Sequence, residues 1–138
     1  PLATALQDTD SGVRYWGVVG LRIRGNAAVT AQLPELRMLL QQDDSVFVRN
    51  AAAEALALYG AADDFTPAVN QLIRAADGSQ FGVHAAIQAL NSLGELGERV
   101  RPWSQQLKAL PAEGEWSAGR FSSYVPRLLE ELAPRLAP

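Results

Sequence analysis

Three pairs of acids, Asp8/Asp10, Asp43/Asp44 and Asp63/Asp64, and a single histidine, His84, are the residues whose type and spacing could do chemistry. A calcium or magnesium site needs several converging oxygens. An EF-hand loop counted from Asp8 fails, because Gly12 falls in the fifth place and Val19 in the twelfth. The same aspartates precede apolar helical patterns, where a carboxylate accepts the free N–H groups of a first turn, so they read as helix caps. His84 has no second imidazole to work with and the chain has no cysteine, so it reads as a helix-face residue and not as a zinc ligand. Absence of cysteine also excludes a disulfide framework and a thiolate nucleophile. No phosphate-binding or dinucleotide-binding glycine motif is present. No residue is assigned a catalytic, cofactor-binding or metal-binding role.

The elements that position these acids recur. The stretch Gln41 to Gly60, QQDDSVFVRNAAAEALALYG, joins an acidic turn, a Val-Arg pair, an alanine-rich helix and a closing glycine. Imperfect copies stand at Gln7 to Gly25 and at Ala76 to Gly94. Apolar stripes at i, i+3, i+4 precede each turn: Leu2, Ala5, Leu6; then Leu36, Leu39, Leu40; then Val69, Leu72, Ile73. The period is about 34 residues of two short helices, and such a unit cannot bury its apolar face alone. It must stack on its neighbours, which predicts an all-α fold, an α-α superhelix of about four helical hairpins and seven to eight helices. The units are about 1–25, 31–60, 67–94 and 99–135 of a single domain, 1–138. The predicted second helices run from about 13 to 24, 46 to 59 and 81 to 93, closed by Gly25, Gly60 and Gly94. In the divergent last unit a helix is expected over 99–110, a loop over 111–120 and a last helix over 121–133 capped by Ser122 or Ser123. Trp103 and Trp116 read as packing within that tail.

Composition limits partners more than it names them. A net charge of −3 gives no long-range attraction to nucleic acid or to anionic lipid, and the apolar runs fall far short of the roughly 18 residues a membrane span requires. The chain opens on Pro1 and not on Met, and reads as a piece of a larger protein.

Registering the second helices places Gly17, Ala52 and Ala86 in one column, Gly20, Ala55 and Ala89 in another, and Leu21, Leu56 and Leu90 in a third that faces the core. Small residues in the first two columns let helices approach closely. The first copy breaks the pattern: Trp16 stands where Ala51 and Ala85 stand, and Val19 where Glu54 and Gln88 stand. Two readings follow for this large, apolar edge. Trp16 folds over the end of the repeat as a cap, or Trp16, Val18 and Val19 form an interface for a preceding domain.

The acidic turn, Val-Arg pair, alanine-rich helix and closing glycine resemble a short bacterial HEAT-type repeat, over residues 2 to about 98. The resemblance implies a ladder between stacked units made by turn aspartates and helix-start arginines, here Asp10, Arg14, Asp44 and Arg49; Val83 interrupts it in the third copy. A narrower resemblance, carried by DSGVRYWGVVGL (10–21), ALNSLGELGERVRPW (89–103) and SSYVPRLLEEL (122–132), is to the C-terminal HEAT-like extension of bacterial sulfatases. It implies a non-catalytic module behind a catalytic domain that uses a formylglycine and a calcium ion, in a periplasmic or secreted protein. That chemistry lies outside this chain. The family's nucleophile pattern puts proline two residues and arginine four residues after Cys or Ser, and in Ser123 to Arg127 the proline comes one place late. The function expected is support of that catalytic domain, or help in assembly and substrate presentation. The alternative is a free-standing HEAT adaptor that binds proteins. A third reading is a lyase-like HEAT protein acting on a protein-bound pigment.

Overall fold

The structure, a computed structural model, describes all residues from Pro1 to Pro138. It is all-α, a helical-repeat fold with no strand. Ten α-helices occur: α1 Leu2–Ala5, α2 Ser11–Arg24, α3 Asn26–Thr30, α4 Leu33–Gln42, α5 Val46–Tyr59, α6 Phe65–Ala76, α7 Gly78–Phe81, α8 Val83–Leu96, α9 Ser104–Lys108 and α10 Tyr124–Leu132. Short 3-10 turns occupy Ala62–Asp64, Gly97–Trp103, Glu115–Ser117 and Ala133–Leu136. Two compact units, Pro1–Gln71 and Leu72–Pro138, divide inside α6.

In the first unit α2 packs on α5, and each carries its own first helix, α1 against α2 and α4 against α5. The columns explain the close fit. A Cβ on Gly17 would lie 3.0 Å from the Ala5 Cβ, so glycine lets α1 settle on α2. Ala52 and Ala55 are fully buried, as are Leu36, Val48 and Leu56 around them. Asn50 is buried in this apolar setting, and its side-chain oxygen accepts a hydrogen bond from Gln71 Nε2 at 3.2 Å, which answers the cost of hiding an amide.

The boundaries depart from the sequence reading in instructive places. Gly25 ends α2 at φ 85° as expected, and the chain then starts α3, a short helix between the first two repeat units. Gly60 does end α5, at φ −74°, for a steric reason: an added Cβ would meet the Leu56 carbonyl oxygen at 2.5 Å. Gly94 does not close the third copy. It lies inside α8, which runs on to Leu96 and stops at Gly97, where φ is 57°. The helix expected over 81–93 is broken by Gly82 at φ 90° into α7 and α8, with Asp77 capping α7 through the Ser79 N–H.

In the second unit α8 packs on α10. The helix expected over 99–110 is a 3-10 turn followed by α9, because Pro102 lacks the N–H a continuous α-helix needs there. Ser123 sits at the start of α10 without a side-chain cap bond. Trp116 lies on Gly78 so closely that a Cβ there would overlap its ring, and the Arg135 guanidinium donates to the Gly94 carbonyl. The edge of the His84 imidazole meets the Phe121 ring, centroids 4.7 Å apart, so the lone histidine sits in an aromatic contact.

Candidate interaction surface

Two arginine–aspartate clamps fix the helices of the first unit. Arg14, in the first turn of α2, donates from Nε to Asp43 Oδ2 at 2.7 Å and from Nη2 to Asp43 Oδ1 at 3.0 Å. Its Nη2 also reaches Asp44 Oδ1 at 2.8 Å, and its Nη1 holds the carbonyls of Asp8 and Thr9. Arg49 holds the Asp43 carbonyl in the same manner, at 2.6 Å. Of the four ladder residues named from the sequence, Arg14 thus bridges the hairpins, and its chief acceptor is Asp43, whose carboxylate is buried, with exposed Asp44 secondary. Asp10 is no rung: its Oδ1 accepts the Gly12 and Val13 N–H groups as the cap of α2. Asp43 is the better rung because the Ser45 N–H, donating to its Oδ1 at 2.9 Å, already fixes its carboxylate.

Sequence reasoning missed the second clamp. Arg37 on α4 donates from Nε and Nη2 to the two oxygens of Asp64, at 2.7 and 3.0 Å, while Asp64 also accepts the Ala61 N–H. An arginine at the outer side of a leucine-striped helix and an acidic turn 27 residues later were the available signal.

Both carboxylates are held below the ordinary carboxylate value. Burial pushes Asp43 upward, but the hydrogen bonds and charge of Arg14 and the Ser45 amide outweigh it. For Asp64 the Arg37 hydrogen bonds dominate over burial. The matching guanidinium of Arg14 is raised, chiefly by its hydrogen bond to Asp43. Fork-to-fork pairing of this kind fixes geometry as well as charge.

The side of α5 that meets α2 is marked by Glu54, whose Oε2 pairs with Arg22 Nε at 3.2 Å. Ala51, one turn earlier on that side of α5, is 5% exposed. The same register on α2 is the row Gly12, Trp16, Val19 and Ile23. Here the row is bare: Trp16 is 67% exposed and Ile23 74%. Trp16 meets Tyr15 edge to face, ring centroids 5.3 Å apart, but most of its indole stays open. Of the three interface residues named from the sequence, Val18 is fully buried in the core and offers nothing to a partner; Val19 is half-buried and Trp16 open. Ile23, the most exposed large apolar residue, was missed although it follows Trp16 by two turns, i+7, the signature of one helix face.

Nowhere do three or more histidine, aspartate or glutamate side chains gather as a metal-ligand group, and no helix is long and apolar enough to cross a membrane. No protein-family model, curated protein or solved structure matches the chain. What the fold itself defines is a class: an all-α helical-repeat protein, with Trp16 and Ile23 as its most exposed large apolar residues.

Proposed function

We propose that the chain is a non-catalytic helical-repeat module of the HEAT type whose work is protein association, with the outer row of α2 as its docking surface. The observation that carries this is the contrast in one register: Trp16 open on α2 where Ala51 is covered on α5. Apolar side chains of this size on one helix face mark interaction sites in soluble proteins. The finer reading, a C-terminal domain of a bacterial sulfatase that assists assembly of the catalytic part, rests on the sequence likeness of residues 10–21 and of the tail alone; a free-standing adaptor is the alternative.

Two measurements test it. Hydrogen exchange across residues 12–23 is expected to be slower wherever the row is occupied, in the natural gene product or in the chain at about 1 mM, than in the chain at about 1 μM; equal rates in all three would remove the docking surface. For the finer reading, an aryl sulfate is expected to be turned over by that gene product and not by the chain alone. An open frame that places a start Met directly before Pro1 would instead favour the adaptor.

A further inference from the structure

We infer that the occupant of the α2 row is a second copy of this chain, with the two α2 helices packed antiparallel; this rests on the docking reading above and names its partner. Gly12, Trp16, Val19 and Ile23 follow one another by four, three and four residues, a sequence of steps that reads the same in both directions. An antiparallel copy therefore sets Trp16 against Val19 of the second copy and Ile23 against Gly12 of the second copy. Each bulky side chain meets a smaller one, and a two-fold axis repeats both contacts.

Charge is complementary in the same arrangement. Asp8 adopts the turn that Asp43 adopts: its Oδ1 accepts the Asp10 N–H at 2.8 Å, as Asp43 Oδ1 accepts the Ser45 N–H at 2.9 Å. Asp43 holds the guanidinium of Arg14, whereas Asp8 is exposed and forms no ion pair. At the other end of α2, Arg24 is exposed and forms no ion pair either. The helix is about 21 Å long at 1.5 Å per residue, so only an antiparallel copy carries Arg24 to the Asp8 turn, twice per pair. That arrangement also sets each helix's positive end beside the other's negative end. One pair of four-turn helices makes a small interface, so the association is expected to be weak and concentration-dependent.

Sedimentation equilibrium of the chain from about 10 μM to 1 mM tests this. The average mass is expected to climb toward twice the monomer's. Ile23→Asp places a charge in the row and is expected to weaken pairing more than about tenfold. Asp8→Arg and Arg24→Asp each remove two exposed ion pairs and are expected to weaken it about three- to tenfold, while the two together restore it. Circular dichroism identifies any variant that fails to fold, and the charge exchange stands independently of Ile23→Asp. A chain that stays monomeric throughout, or an Ile23→Asp variant that pairs as well as the parent, would overturn the second copy as occupant. A double exchange no better than either single one would overturn the antiparallel arrangement. These outcomes differ from failure of the docking reading itself, which the exchange rates of residues 12–23 in the gene product decide separately.

Discussion

Helices α2 and α5 are two copies of one design and differ in one row. Both begin at an aspartate-fixed turn, both place an arginine in the first turn that holds the carbonyls of that turn, and both pack on their own first helix. On the side where Glu54 meets Arg22 of α2, α5 carries a covered Ala51, while in the same register α2 carries an open Trp16 and a half-buried Val19. The lesson is about cause. Alanine is there because a neighbouring helix sits on it, and the ion pair from Arg22 to Glu54 sets that neighbour's register. Tryptophan in the same place forbids so close a neighbour and offers a large apolar surface to a looser one. The α2 row therefore differs from its counterpart on α5 in the kind of neighbour it can pack against.

The comparison breaks most visibly if α5 is given the residue of α2. Ala51→Trp drives an indole into the covered side of α5 and is expected to cost about 3 kcal/mol or more, or to prevent folding; an unchanged denaturation midpoint would show that this side of α5 does not meet α2 as described. Next in size is the clamp. Asp43→Asn keeps the acceptor for Ser45 but loses the charge facing Arg14, and is expected to cost about 2 to 3 kcal/mol. Asp8→Asn, its counterpart at the bare edge, keeps its turn and has no arginine to lose, so in dilute solution its cost is expected to stay within about 0.5 kcal/mol. Similar losses for the two would erase the distinction between clamped and open turns.

Acid sharpens the same point. Folding holds the Asp43 and Asp64 carboxyls below their ordinary value of 3.8. As pH falls the unfolded chain takes up protons first, so the stabilisation from both clamps is complete above about pH 5 and is lost from about pH 4 downward, through the folded-state values. Denaturant titrations between pH 6 and pH 2 are expected to show this slope, shallower in Asp43→Asn; a slope unaltered by that substitution would place the acid sensitivity elsewhere.

Much of this was legible before the structure, and the failures have physical reasons. Three leucine stripes, the acidic turns and the glycines gave the hairpins, because periodicity and capping are local properties. Asp43 and Asp44 could not be ranked from sequence, since a peptide turn decides which neighbour faces Arg14. The register marks Gly94 as a stop, but α8 continues through it and the chain leaves the helix at Gly97, where φ is positive. Val18 looked like part of an apolar edge because it adjoins Trp16, yet adjacent helical residues point about 100° apart, and Val18 points into the core. Reading the face at i, i+3 and i+7 would have exchanged it for Ile23.

The smallest effect is the most direct test. Trp16→Ala, measured by denaturant unfolding at micromolar concentration beside Ala51→Trp, is expected to change stability by no more than about 0.5 kcal/mol, because the indole is open. A loss of the size that follows removal of a core aromatic, about 3 to 5 kcal/mol, would mean that Trp16 holds its own helices together, and the α2 row would no longer be a surface for a partner.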